Sequence, residues 1–263
     1  MVTTDRLESE NQMPKFFVVS DVHGFYTEMR DALAKAGFDA ENENHWLVSC
    51  GDNWDRGPDP YAVMLYFQRL PRKILVRGNH EDLFEQCCER GEAYAHDYSN
   101  GTFKTICDLG GADFGYTFAE CCDRALSKTQ MFLKNMVNYF ETKNYIFVHS
   151  FVPLNCNDNL PPYYVRNRKY SKMENWREAN ALKWEDARWG DPFELADKGL
   201  LPDKTLVFGH WHCSKGWAKE EHRSQFDDDA KFDPYFGDGF ISIDACTAHT
   251  GKVNVLVIED EVM

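Results

Sequence analysis

The chain has 263 residues, of which 43% are hydrophobic and 14% aromatic, which is enough for a sizeable core and argues against global disorder. Its 29 Lys and Arg against 43 Asp and Glu leave a net charge of −14, which disfavours non-specific binding to nucleic acids or anionic membranes. Nine cysteines without a Cys-x-x-Cys pair, a polar start and no apolar run of roughly 20 residues predict a cytoplasmic protein with reduced thiols.

The first half of the chain has a strand, a loop and a helix three times over. The predicted strands are 16–19, 45–50 and 73–76, which are short β-rich runs bounded by Gly or Pro. The helix that follows the second strand has a clear start, with Asp59 suited to the N-cap and Pro60 to the first turn. Strands alternating with helices predict a layered α/β fold, which binds ligands beyond the carboxyl ends of its strands.

The second half predicts a helical segment followed by further strands. Residues 91–144 read as helical and carry no motif, and strands are predicted at 145–148 and 205–208. Residues 240–243 and 252–259 are expected to form a hairpin whose last strand is buried on both faces. We predict one domain over 1–263, with a helical insertion at about 91–144 and a variable loop region at about 155–200.

Polar side chains follow all five of the strands predicted up to residue 208. Because such strand ends converge on one rim of a sheet, these side chains are expected to lie close together. They are Asp21, His23, Asp52, Asn79, His149 and His210. Carboxylate, amide and imidazole groups suit divalent metals such as Mn, Fe or Zn, and six ligands are enough for two metal ions. One carboxylate must then bridge the two, and Asp52 is the expected bridge.

The motifs at these strand ends resemble those of a known family. Ser-Asp-Val-His-Gly at 20–24, Gly-Asp-Asn-Trp-Asp-Arg-Gly at 51–57 and Arg-Gly-Asn-His-Glu at 77–81 are followed by single histidines. They resemble the calcineurin-like metallophosphoesterase superfamily, and within it the phosphoprotein phosphatase family. That family includes bacteriophage lambda protein phosphatase and symmetrical diadenosine tetraphosphatase. The chain departs from the family pattern at Ser20, usually glycine, and at Trp211, usually threonine.

The resemblance implies a layered α-β-β-α fold and a role for each matching residue. Asp21, His23 and Asp52 would hold one metal, and Asp52, Asn79, His149 and His210 the other. The expected metal is Mn²⁺, with Fe, Zn and Ni as alternatives. His80 would protonate the leaving oxygen and Asp55 would hydrogen-bond it, favouring the imidazolium form of His80 near neutral pH. The residues expected to bind the phosphoryl oxygens are Arg56, Arg77 and Arg188.

Three functions follow as hypotheses. The first is a metal-dependent phosphomonoesterase, a serine/threonine protein phosphatase that uses direct in-line attack by a hydroxide bridging the two metals. The alternative is a symmetrical diadenosine tetraphosphatase or another nucleotide or RNA 5′-phosphohydrolase. The third is a non-catalytic binding module on the same fold. The substrate would be a phosphoprotein, a small phosphate ester or a nucleotide, and the oligomeric state stays open. The basic, aromatic segment 161–172 is expected to be a solvated loop, with a lid over the substrate as the alternative.

Overall fold

The structure is a computed structural model that describes residues 13–156 and 169–262. The expectations for the polar N-terminal residues 1–12 and for most of the segment 161–172 lie outside the described residues. Among the described residues, no helix is long and apolar enough to cross a membrane.

Strands and helices alternate along the first half, as expected. The strands are β1 Lys15–Val19, β2 His45–Ser49, β3 Lys73–Leu75, β4 Phe140–Glu141, β5 Tyr145–Phe147, β6 Leu154–Cys156, β7 Tyr170–Lys172, β8 Thr205–His212, β9 Tyr235–Gly237, β10 Phe240–Asp244 and β11 Leu256–Glu259. The helices are α1 Tyr26–Lys35, α2 Pro60–Arg69, α3 Asn79–Arg90, α4 Ala95–Asn100, α5 Thr102–Gly110, α6 Phe118–Lys134, α7 Ala181–Arg188, α8 Pro192–Asp197, α9 Cys213–Glu221 and α10 Thr247–Thr250. Helix α2 begins as its sequence predicts, because Asp59 Oδ1 accepts from the Ala62 N–H at 3.0 Å.

Two mixed sheets form the centre of the protein. The first has the order β11-β1-β2-β3, with β1, β2 and β3 parallel and β11 antiparallel to β1. The second has the order β4-β5-β8-β10-β9, with β5, β8 and β10 parallel and an antiparallel strand at each edge. The parallel strands of each sheet therefore end on one side, where their loops gather.

Alternation along β1 explains the layering. Phe17 and Val19 pack into a core with helices α1, α2, α3, α5 and α6, whereas Phe16 and Val18 face the second sheet. A further core lies on the outer face of the second sheet, against α7 and α8. The protein is thus a layered α-β-β-α structure, which confirms the predicted fold class.

The end of the chain differs from the sequence-based prediction. Strands β10 and β11 do not form a hairpin, because β10 pairs with β8 and β9 in the second sheet while β11 pairs with β1 in the first. Helix α10 carries the chain from one sheet to the other. β11 is an edge strand and is not buried on both faces, since Val257 is 41% exposed.

The helical region 91–144 agrees with its prediction, whereas the region 155–200 contains more regular structure than expected. Helices α4, α5 and α6 fill most of 91–144, in agreement with the predicted helical character, although β4 ends that region. Within the region 155–200, expected to be loop, the described residues include β7, α7 and α8. The short strand β7 pairs with β6 outside the two main sheets.

Candidate metal centre

The predicted ligands come from the loops that follow the parallel strands. Asp21 follows β1, Asp52 follows β2, and His149 follows β5, while His210 lies near the end of β8. Asn79 is the first residue of helix α3. The backbone N–H of His210 donates to Asp21 Oδ2 at 2.8 Å, which joins the loops of the two sheets.

Two groups of ligand atoms share Asp52. In the first, His23, Asp52 and His80 each offer an atom within 4.8 Å of the others. In the second, Asp52, His149 and His210 do the same. His23 Nε2 lies 4.0 Å from Asp21 Oδ1 and 3.9 Å from Asp52 Oδ2, so Asp21 borders the first group without being one of its three members. A carboxylate common to both groups has the position expected of a bridging ligand.

His23 and His149 both direct their Nε2 atom towards the site, because Nδ1 of each ring is bound to a backbone carbonyl. His23 Nδ1 donates to the Trp54 carbonyl at 3.0 Å, and His149 Nδ1 donates to the Cys50 carbonyl at 2.8 Å. A carbonyl oxygen only accepts, so the proton is on Nδ1 and Nε2 keeps its lone pair when the ring is neutral. Burial lowers the pKa of both rings, which favours the neutral form. Metal-binding histidines are commonly oriented by this kind of hydrogen bond.

The acceptors in the second group face one another. His149 Nε2 lies 2.7 Å from Asn79 Oδ1 and 3.4 Å from Asp52 Oδ1. Neither oxygen carries a proton when Asp52 is ionised, so three hydrogen-bond acceptors point at one small region. All three residues are at most 2% exposed. Buried acceptors in this arrangement are satisfied by a cation, and the mixed N and O atoms fit a divalent transition metal.

The carboxylates of this region are crowded. Burial, together with the neighbouring Asp244, raises the pKa of Asp21 to about 7. Burial also raises the pKa of Asp52, with Asp21 and Glu81 adding to the shift. Bound cations would stabilise the ionised forms of these buried carboxylates.

Backbone strain is concentrated at the same place. Among the described residues, eight non-glycine residues have positive φ, and six of these are predicted site residues with φ between 50° and 72°. They are Asp21, His23, Asp52, Asp55, Arg56 and His210. Left-handed backbone is costly outside glycine and clusters at functional sites, although Asp and His tolerate it better than most residues.

Two glycines allow the loops to approach closely. A Cβ at Gly78 would lie 2.2 Å from Asp52 Oδ1, and one at Gly209 would lie 2.0 Å from Asp21 Oδ2. Any side chain at either position would push a carboxylate out of the cluster.

His80 and Asp55 form a buried pair at the edge of the cluster. His80 Nδ1 donates to Asp55 Oδ2 at 2.7 Å, and the Thr102 hydroxyl donates to the same oxygen at 2.6 Å. The Asp55 N–H donates to Thr105 Oγ1 at 3.1 Å. The pKa shifts of this pair run against the expected preference for imidazolium, which stays a prediction. Burial lowers the pKa of His80 well below its usual value, and nearby Arg56 lowers it further, while burial raises the pKa of Asp55 to about 7.

Glu81 ties the loops of two motifs together. Its Oε1 accepts from Asn53 N at 2.9 Å and from Asn53 Nδ2 at 3.0 Å. Its Oε2 accepts from Asp52 N at 3.0 Å and from Gly78 N at 2.8 Å. This fully buried carboxylate therefore holds the backbone of Asp52 in place.

The three predicted arginines occupy two separate places. Arg56 is exposed, and it donates to His23 Nε2 at 2.9 Å and to His80 Nε2 at 3.0 Å. Arg77 and Arg188 instead converge on Asp82, where Arg77 Nε donates to Oδ1 at 2.6 Å and Arg188 Nε to Oδ2 at 2.6 Å. Arg77 also pairs with Glu85. Only Arg56 lies within the cluster of predicted ligands, and phosphate binding by the other two stays a prediction.

Sequence reasoning missed several residues of this region. Thr102 and Thr105 belong to a helical segment without a motif, so nothing in the sequence connects them to Asp55. Asp82 reads as an ordinary acidic residue in the first turn of a helix. Asp244 was detectable, because it directly follows the apolar run of β10 and so obeys the rule that located the other ligands.

Comparison with known proteins adds a family assignment. A sequence profile of the calcineurin-like phosphoesterase family matches residues 14–214. The symmetrical bis(5′-nucleosyl)-tetraphosphatase of Edwardsiella ictaluri is 45% identical over 65 residues, which are 24% of this chain and 23% of that protein. The enzyme of the same name from Photorhabdus laumondii subsp. laumondii is 39% identical over 66 residues, which are 25% and 23% of the two chains. The chain therefore matches about a quarter of the length of these curated relatives.

A solved structure gives a similar fold over nearly the whole chain. The cold-active protein-tyrosine phosphatase of the psychrophile Shewanella sp. matches with a TM-score of 0.52 at 15% identity. The match covers 94% of this chain and 76% of that one. At this identity the likeness concerns the fold alone.

Proposed function

The chain belongs to the calcineurin-like phosphoesterase family, and from this premise we propose which residues perform its phosphohydrolase chemistry. The proposed metal ligands are Asp21, His23, Asp52, Asn79, His149 and His210. The observation that carries the proposal is the cluster of acceptor atoms at the ends of the parallel strands, with Asp52 common to both groups. The family is dimetal-dependent, and we propose Mn²⁺ as the metal, with Fe, Zn and Ni as alternatives.

The side chains around the cluster have complementary tasks in this proposal. Two bound cations would supply an activated water and neutralise charge on the phosphoryl group. Arg56, exposed beside the rings of His23 and His80, would bind phosphoryl oxygens through its planar guanidinium. Once Arg56 turns from His80 Nε2 to the phosphoryl oxygens, the imidazolium form of His80 would deliver a proton from Nε2 to the leaving oxygen, while Asp55 Oδ2 keeps the ring oriented through Nδ1.

Two substrate classes are proposed. The protein-phosphatase proposal rests on the motifs and their resemblance to the phosphoprotein phosphatase family. The nucleotide proposal is supported by the local matches to symmetrical bis(5′-nucleosyl)-tetraphosphatases. A binding module without catalysis is disfavoured, because all six ligand positions carry side chains able to bind metal.

One experiment tests the chemistry and separates the substrates. Protein reconstituted with Mn²⁺ is assayed on a phosphoseryl peptide, p-nitrophenyl phosphate, diadenosine tetraphosphate and a 5′-triphosphate RNA, and bound metal is measured in parallel. We expect about two equivalents of metal per chain. Less than one equivalent with no hydrolysis of any substrate would favour the binding module.

Two variants and a control test the residue roles. Asp52→Asn should lose both turnover and metal, since it removes charge from the shared ligand. His80→Asn should lose turnover and keep its metal. His222→Asn is the matched control, because His222 is exposed, lies outside the cluster and has a left-handed backbone that Asn tolerates. Full activity of His80→Asn on an alkyl phosphate would refute the proposed acid.

A further inference from the structure

Helices α4, α5 and α6 each contribute one ring to a stack of three aromatic side chains. The rings of Tyr98 and Phe103 have centroids 4.5 Å apart at 28°, and those of Phe103 and Phe118 are 4.9 Å apart at 20°. Phe118 forms the inner end, because it packs against the core of the first sheet. Tyr98 forms the outer end and is 59% exposed. A stack that ends in an exposed ring offers a π-face to one more planar group.

The residues that carry the stack also hold the catalytic pair. Thr102 and Thr105, one turn apart on α5, hydrogen-bond Asp55, and Phe103 lies between them in sequence. Gly101, which joins α4 to α5, packs on the loop of the Asp-Arg-Gly motif. A Cβ there would lie 2.5 Å from the backbone nitrogen of Arg56.

The stack and the proposed phosphate site are therefore connected through α5 and the close contact of Gly101 with Arg56. The Cα atom of Phe103 is about 3.8 Å from that of Thr102, whose hydroxyl contacts Asp55. Tyr98 is in the last turn of α4, and its carbonyl accepts from the Gly101 N–H at 3.3 Å. A group stacked on Tyr98 would thus be positioned relative to His80 and Arg56 by short, well-packed connections.

We propose that Tyr98 is the outer face of a nucleobase-binding platform, so that the substrate of the proposed phosphohydrolase site is a nucleotide. This inference rests on the proposed function and names its substrate class. The ribose and the intervening phosphates would bridge the distance from the platform to the reacting phosphorus. Phosphoserine and phosphothreonine have no planar group for this platform. In p-nitrophenyl phosphate the ring is joined to the phosphorus through a single oxygen, with no ribose or further phosphate between them.

The test compares Tyr98→Ala with two matched variants. Tyr94→Ala is the control, since Tyr94 is 47% exposed on the same segment but has the Arg90 guanidinium 4.6 Å from its ring centroid. Tyr98→Trp keeps a stacking ring. KM and kcat are measured for diadenosine tetraphosphate, p-nitrophenyl phosphate and a phosphoseryl peptide with Mn²⁺-reconstituted protein, and thermal unfolding checks the fold.

We expect Tyr98→Ala to raise KM for diadenosine tetraphosphate about tenfold, the typical worth of one stacked base, with little change for the other two substrates. Tyr98→Trp should restore the wild-type KM, and Tyr94→Ala should leave it unchanged. An equal change for all three substrates, or no change for the dinucleotide, would overturn the platform.

A binding measurement separates this inference from the proposed function. AMP binding to the Mn²⁺-reconstituted wild type and Tyr98→Ala proteins is measured by calorimetry. Weaker AMP binding by Tyr98→Ala would support the platform even in a protein that hydrolyses none of the substrates. Equal AMP affinity of the two proteins, or no AMP binding by the wild type, would refute it whatever the activity.

Discussion

Replacing Glu81 with Gln tests whether one buried carboxylate organises the metal centre. Glu81 accepts four hydrogen bonds, two on each oxygen, from Asn53, Asp52 and Gly78. Gln has one oxygen and one NH₂ group, so whichever way its amide turns, one pair of N–H groups loses its acceptor. That pair then faces another hydrogen-bond donor in a site with no exposure to solvent.

The expected loss of stability follows from those bonds. Each buried N–H left without an acceptor costs about 1–3 kcal/mol, which gives about 2–6 kcal/mol for two. Burial raises the pKa of Glu81, so removing its charge returns part of this cost. We therefore expect a decrease of about 3 kcal/mol in the free energy of unfolding, and a metal affinity about tenfold lower or more, because Asp52 is no longer held.

Urea unfolding with and without Mn²⁺ measures both effects, and Glu120→Gln is the matched control. Glu120 occupies the same position in the first turn of α6 as Glu81 does in α3, and it accepts from the Thr117 N–H at 2.8 Å, but it is exposed. Its substitution should cost less than about 1 kcal/mol. If Glu81→Gln were no more destabilising than Glu120→Gln, the argument that Glu81 holds the two loops would be refuted.

Two further predictions concern groups near the cluster. Thr102→Val removes the hydroxyl that donates to Asp55 Oδ2, and we expect kcat to fall about tenfold while the amount of bound metal stays the same. Steady-state kinetics and metal analysis measure the two quantities. An unchanged kcat would contradict a role for Thr102 in orienting Asp55. Burial raises the pKa of Asp244 from 3.8 to about 6 in the folded protein, so its favourable contribution is present below pH 4 and is lost as pH rises through about 6. Asp244→Asn should therefore stabilise the chelator-treated protein by about 3 kcal/mol at pH 8 and leave it unchanged at pH 4. Equal unfolding curves for the two proteins at pH 8 would show that the buried carboxylate carries no such cost.

The candidate ligands could be predicted because their signal is local. A polar residue directly after a short apolar run is readable in the sequence, and parallel strands end on one side of their sheet. For that reason the sequence alone indicates Asp21, Asp52 and His149, and the structure brings His149 Nε2 to 3.4 Å from Asp52 Oδ1. The layered fold followed in the same way, since the alternation of strands and helices depends only on nearby residues.

The pairing of distant segments was decided by the tertiary structure. The alternation along 252–259 indicates that this segment is a strand, but it does not say which strand is its neighbour, and β11 pairs with β1 at the other end of the chain.

The partner of Arg188 is Asp82, 106 residues away, and Thr102 meets Asp55 from a helix that carries no motif. Composition and spacing describe what each segment can do alone. Which buried charge meets which partner depends on how whole layers pack, because a buried ionic group must find its counterpart wherever the fold brings one within hydrogen-bonding distance.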